Sequence, residues 1–425
     1  TLWWPGFVNS SHWVDQRGQP TTPAGSWKRC PKVYIYYIPT DFSDLELDGL
    51  TVEQVFGAPL EGLVPGGRDT YQYAMATILT WRLFRSSCRT LDETEADLFY
   101  IPFLVRPKHI FSWQQPCESK LQGQLAELLR HLPFLNEATA HRHFLGVGMN
   151  WPQIREWCLK RDPKYPPAEQ AAVKLFRSVP FVNIEVAFHD WQREDFPLLA
   201  SEHHFPTFLC TADACEAPIV NMPRPASVHW NRELIESEIP MPWKQHDDME
   251  PRDILVSLIG KLDHGDKEAR VALQPWCAKY SDYRELMYCD FYRGQMQTLG
   301  IKSRSVFCLD PVGDTPGRKS TADSYACGCI PVFVGVTQAF QFPAHWDGWH
   351  DSAFLVIDEP LLLAGKLDPV ELLQKVPKEA IAYIQSQIAQ YGSRFIYNEE
   401  DLPEVEDSVD VLLNSLWAAA SASKK

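Results

Sequence analysis

The 425 residues predict an α/β protein built as two doubly wound halves. Three observations carry that expectation. Short β-branched and aromatic runs alternate with amphipathic helical stretches along most of the chain. The alternation breaks once, in a proline-rich polar segment, and then restarts. The length also exceeds what one ordinary core accommodates.

In order, KVYIYYIP (32–39) reads as a buried strand, and TYQYAMATILTWRLFRSS (70–87) has the 3.6-residue period of an amphipathic helix. ADLFYIPFLV (96–105) is the next strand, ESKLQGQLAELLRHLP the next helix and HFLGVGM (143–149) a third strand. A helix over 168–178 and the strand VNIEVAF (182–188) follow. EIPMPWKQHDDMEPRD (238–253) is read as a linker, which assigns residues 1–237 to a first half and 254–425 to a second. The second half continues with strand DILVSLIG, helix GDKEARVALQPW, strand SVFCLD, a loop and helix, strand CIPVFVG, strand AFLVID and three helical segments up to Trp417. Such sheets bind ligands outside the carboxyl ends of their strands, and two of them place a cleft between the halves.

Hydrophobic residues are 45% of the chain and charged residues 22%, which is a globular balance. The net charge of −15, with no basic block, excludes nucleic acid as a partner and requires any anion site to be made by local groups. No apolar run is long enough to cross a bilayer, and TLWWPGFVNSSHW lacks the regions of a signal peptide. The expectation is therefore a cytosolic protein, or one whose anchor lies outside these residues. Eleven cysteines without zinc-type C-x-x-C pairs predict disulfides with at least one thiol left over, in a luminal or extracellular compartment. Asn9-Ser10-Ser11 is an N-glycosylation triplet. Fifteen tryptophans suit sugar faces and equally suit a large core.

The segment FCLDPVGDTPGRKSTADSYACGCIPVFV (307–334) holds the chemistry. Its loop lies between a strand and a helix expected to begin near Ser320, where unpaired N–H groups and the dipole favour phosphate. Gly313 and Gly317 allow close backbone approach, Arg318 and Lys319 add charge, and Thr315 or Ser320 could donate a hydroxyl. Asp323, a turn into the helix, could accept from ribose hydroxyls, and Gly328 ends that helix. GDTPGRKS does not have P-loop spacing, and the dinucleotide glycine pattern is absent. Taken alone, the loop is equally well read as a set of turn formers.

The same segment resembles the donor-site signature of exostosin-type glycosyltransferases, with its Gly313-Asp314-Thr315 loop, basic helix start and Gly-Cys-Ile-Pro-Val strand. KVYIYYIPTDF, TYQYAMATILTWRLFRSSCRTLDETEADLFYIPF and SLIGKLDHGDKEARVALQPWC extend the likeness over most of 32–415. TYQ, HFLGVGMNW and NMPRP resemble the plant-type branch that includes xyloglucan galactosyltransferases. The resemblance implies a GT-B architecture of two Rossmann-like domains facing a cleft, the N-terminal one binding acceptor and the C-terminal one a UDP-sugar. It further implies an inverting reaction on a cell-wall or glycoprotein glycan in the Golgi lumen, as the ectodomain of a type II membrane protein, alone or in a homo- or hetero-oligomer.

In an inverting displacement a base deprotonates the acceptor hydroxyl while the diphosphate leaves from the opposite face. Arg270 matches the family arginine that holds phosphate, and a surface ion pair with Glu268 or Asp266 is an equal alternative. No Asp-x-Asp occurs, so metal-independent stabilisation of the diphosphate is expected. His189 and Asp190, following VNIEVAF, fit the base by position, and His109 is the second choice. Pro152 after Trp151, and Lys108 and His109 where the branch carries acid, depart from the branch pattern and bear on acceptor and sugar. Trp113, Trp151, Trp346 and Trp349 are candidate sugar platforms, each with an equally good core reading. Galactosyl transfer is the first choice. Arabinosyl or xylosyl transfer, or a non-catalytic UDP-binding partner of another transferase, are the alternatives.

Overall fold

A computed structural model describes residues 2–3, 30–39, 49–62, 64–102, 124–150, 163–185, 219–244, 251–260, 268–290, 294–313, 316–342 and 344–422. The first half contains β1 (Leu2–Trp3), β2 (Val33–Ile35), α1 (Val52–Phe56), α2 (Met75–Arg85), β3 (Arg89–Thr90) and β4 (Leu98–Ile101). It continues with α3 (Leu125–Leu128), β5 (His143–Asn150), α4 (Pro167–Arg177), β6 (Phe181–Glu185), β7 (Ile219–Asn221) and α5 (Arg232–Glu236). The second half runs through β8 (Ile254–Ile259), α6 (Glu268–Lys279), β9 (Met287–Asp290), α7 (Gln295–Arg304), β10 (Ser305–Asp310) and α8 (Lys319–Ala326). It ends with β11 (Ile330–Val334), β12 (Leu355–Ile357), α9 (Glu359–Leu363), α10 (Pro369–Leu373), α11 (Lys378–Tyr391) and α12 (Ser408–Ala422).

These strands form two six-stranded sheets, ordered β3-β2-β4-β5-β6-β7 and β1-β12-β11-β10-β8-β9. Every neighbouring pair is parallel except β1 with β12. Parallel pairing requires crossovers, which the intervening helices supply. In the second sheet β8 lies inside, β9 goes to one side, and β10, β11 and β12 go successively to the other. The switch point is therefore between β8 and β10.

Local signals set the helix ends. The Thr51 and Gln54 side chains form a reciprocal capping box on α1, and Asp358 and Asp368 cap α9 and α10. Gly328 takes φ +66° after α8 and turns the chain into β11, as its position predicts. A Cys308–Cys329 disulfide ties β10 to the entry of β11, while Cys30–Cys88 and Cys277–Cys289 staple the sheet edges. Cys327 is the free thiol among the described residues, and burial pushes it up to about 12.

Both ends of the chain cross to the other half. β1 pairs with β12, Leu2 opposite Ile357. α12 places Val409, Leu412, Leu413 and Leu416 in the core of the first sheet beside Met75, Ile78 and Leu79. Above that core Arg82, fully buried, pairs with Asp407, donates to the Asn398 carbonyl at 2.8 Å and reaches Asp401 at 3.2 Å. The segment expected to be a linker is partly packed: Trp243 is buried against Trp230, ring centroids 5.3 Å apart, because its indole belongs to the second half's core. The glycosylation triplet at Asn9 lies outside the described residues. No described helix is long and apolar enough to cross a membrane.

Candidate active site

The first turn of α6 and the start of α8 bring two guanidinium groups to one glycine. A Cβ at Gly313 would lie 1.7 Å from Nη1 of Arg318 and 3.0 Å from Nη2 of Arg270. Glycine is needed here for room. Arg270 lies in the first turn of α6, is buried, and donates Nε–H to the Val312 carbonyl at 3.3 Å. Arg318 is the N-cap residue of α8, half-buried, and no side chain caps that helix. Two planar forks and a helix start thus converge at the switch point. That arrangement matches the oxygens of a diphosphate.

The neighbouring residues hold the loop in place. The Lys319 ammonium donates to the Pro225 carbonyl at 2.8 Å, to Ser227 Oγ at 2.8 Å and to Asp323 at 3.2 Å. Burial lowers its pKa, and the Asp323 charge opposes that shift. Asp323 also accepts from the Ser227 N–H at 2.7 Å. Ser320 donates to Asp310 at the end of β10, and Ser324 reaches the other Asp310 oxygen at 3.1 Å. Lys302 donates to Ser324 Oγ at 2.7 Å. Lys319, Ser320 and Asp323 therefore turn into the protein, in contrast to the ligand roles expected of them. Lys319 and Asp323 share one helical face four residues apart, a pattern already readable as an internal ion pair.

The other wall of the crevice comes from the first half. Residues 221–230 are all buried and run as a strap between the sheets. Asn221 Nδ2 donates to the Gln341 carbonyl at 2.7 Å, and Arg224 Nε to the Gly317 carbonyl at 3.2 Å. The Arg224 guanidinium sits 4.7 Å from the ring centre of Tyr73. His229 bridges the Tyr397 carbonyl and Thr70 Oγ, each at 2.6 Å, and burial lowers its pKa to about 3. In the sequence NMPRP carries only a family likeness, with no role for Arg224. A cation between two prolines at a strand end was the available signal.

Trp346 and Trp349 are core residues. They are 1% and 3% exposed, packed with Tyr325, Phe354 and Phe395. His143 is likewise structural, accepting from Tyr36 and donating to the Thr139 carbonyl. His109, His189, Asp190, Trp113, Trp151, Asp314 and Thr315 lie outside the described residues.

The Exostosin GT47 domain matches residues 28–360. The Arabidopsis thaliana xyloglucan galactosyltransferase MUR3 is 21% identical over 96% of this chain and 64% of its own length. The xyloglucan-specific galacturonosyltransferase 1 of the same plant is 22% identical over 91% and 56%. The probable xyloglucan galactosyltransferase GT13, also from that plant, is 23% identical over 84% and 71%. The chain thus spans between about half and seven-tenths of these relatives. Among solved structures, a UDP-forming α,α-trehalose-phosphate synthase from Burkholderia vietnamiensis overlaps with a TM-score of 0.36 at 10% identity, covering 93% of this chain and 100% of that one. An α-glucosyltransferase in complex with UDP-glucose and DNA overlaps at 0.31 and 12%, covering 71% and 77%. Likenesses of that size carry no argument about the site.

Proposed function

The chain belongs to the exostosin GT47 family, and from that premise we propose that it is an inverting glycosyltransferase moving a sugar, galactose as first choice, from a UDP-sugar to a cell-wall polysaccharide or glycoprotein glycan. The observation that carries this reading is the meeting of Arg270 and Arg318 at Gly313, at the β8–β10 switch point. A departing diphosphate gains charge in the transition state, and guanidiniums already fixed there stabilise that state more than the bound donor. Arg224, anchored on Gly317, closes the crevice from the first half and keeps the loop in register with it.

In this proposal the second half holds the nucleotide-sugar and the first half presents the acceptor. Asp190, with His189 and His109 as alternatives, is assigned the base by its place after a strand of the acceptor half. The Golgi lumen, with a type II anchor outside these residues, is the setting that the family likeness supports.

The test is UDP release by the purified protein across a panel of UDP-sugars, with EDTA present. Slow hydrolysis of one donor, lost in Arg318→Ala, is the expected result. Binding of UDP without turnover of any donor, with or without xyloglucan oligosaccharide acceptors, would contradict a transferase and leave the partner role.

A further inference from the structure

We infer that Tyr73 and Arg224 are positioning residues for Arg318, through which the first half of the protein sets how tightly the second half holds a diphosphate. This rests on the reading of Arg270 and Arg318 as the diphosphate site.

The chain changes halves within a few residues of Arg224. Met222 belongs to the core of the first sheet with Val220, and Ala226 to the core of the second with Val228 and Trp230. Arg224 stands in the middle of that crossing, between Pro223 and Pro225. A proline ring fixes φ at about −65°, so two of them leave this stretch little freedom to rotate. Both proline carbonyls are also tied. Tyr397 donates its hydroxyl to Pro223 at 2.7 Å, and Lys319 its ammonium to Pro225 at 2.8 Å. Arg224 is thus a long side chain on a stiff base.

Its guanidinium contacts both halves. Nε–H donates at 3.2 Å to the carbonyl of Gly317, the residue immediately before Arg318 in the second half. The same group lies over the Tyr73 ring of the first half, 4.7 Å from its centre. Tyr73 is held in turn by Tyr71, edge to face with centroids 5.5 Å apart, and packs against the core of the first sheet. A guanidinium already stacked on a ring loses little further freedom on making a hydrogen bond, so the ring aims it at the loop.

Arg318 depends on such outside support, because it is the N-cap residue of α8 and no side chain caps that helix. The strap bonds the residues on either side of it instead. Arg224 takes Gly317, while the Pro225 carbonyl and Ser227 Oγ take the Lys319 ammonium. Pro225 and Ser227 border Ala226 and Val228 of the second core, so the Lys319 bonds stay within one half. The Arg224 bond is backed by Tyr73, so it refers the loop to the other half. A displacement between the halves therefore reaches the Arg318 guanidinium through this contact.

The experiment measures UDP and uridine affinity by calorimetry for wild type, Arg224→Met, Tyr73→Leu and Tyr73→Phe, with a thermal melt of each. Arg224→Met should weaken UDP about tenfold or more with uridine within about twofold, and Tyr73→Leu should weaken UDP about threefold. Tyr73→Phe, which keeps the ring, should return UDP affinity to that of wild type. In an Arg318→Ala background, Arg224→Met should change UDP affinity by less than about twofold, because nothing remains for it to position. The full loss persisting in that background would put Arg224 on the ligand itself and overturn the inference. Unchanged UDP affinity in Arg224→Met, or equal losses for UDP and uridine, would overturn it too. If Arg224→Met does not fold, the Tyr73 pair decides, and equal UDP binding by Tyr73→Leu and Tyr73→Phe is the contrary result. A wild type that binds UDP no better than uridine would instead remove the parent reading.

Discussion

An alanine at position 313 would place its Cβ 1.7 Å from Nη1 of Arg318, so the guanidinium must leave its position beside Arg270. Gly313→Ala is expected to lower UDP affinity roughly 10- to 100-fold while leaving the folding transition nearly unmoved, measured by calorimetry and thermal melting. At this scale the sequence was informative about chemistry and poor about direction. Arg318 was legible because it sits where a strand gives way to a helix, and Arg270 only through its match to the family arginine. Lys319, Ser320 and Asp323 have the right composition in the right place, yet all three bond inward. Their orientation depends on Pro225, Ser227 and Asp310, and Pro225 and Ser227 lie more than ninety positions away. Arg224 was missed for the same reason, its partner being 93 residues distant.

Among the elements, strands β2, β4, β5, β8, β10 and β11 were legible from dense β-branched and aromatic runs. β3, β7 and β9 were not read as strands. α12 was seen as a helix, but nothing local says that it packs on the opposite half. Arg82 clamps that crossing. Removing its charge leaves Asp407 buried and uncompensated, so Arg82→Met should cost about 3–5 kcal/mol in denaturant unfolding. Buried histidines set a second property of these elements. Burial holds His143 at about 4, and His229 and His345 at about 3, against an ordinary 6.5. Between those values the unfolded chain binds protons that the folded chain does not. Stability is therefore complete above about pH 6.5 and is lost as pH falls toward 3, by at most ~1.4 kcal/mol per pH unit for each histidine. Urea midpoints measured from pH 7 to pH 4 check this, and a flat profile would contradict it.

For the whole molecule, two halves with parallel sheets follow from the repeated alternation of strand and helix, and the switch point follows from strand order. The crossings at both chain ends and the buried strap at 221–230 do not, because they pair segments across the entire sequence. Together these contacts bring the loop after β10, Arg270 and the strap to one place, which is what the proposed donor site requires. The most direct test is a titration with UDP and, separately, with uridine, on wild type and on Arg270→Ala and Arg318→Ala. UDP should bind far more tightly than uridine to wild type, and each variant should lose most of that difference. Equal binding of UDP and uridine by wild type, or undiminished UDP binding by both variants, would contradict the assignment of the two arginines to the diphosphate.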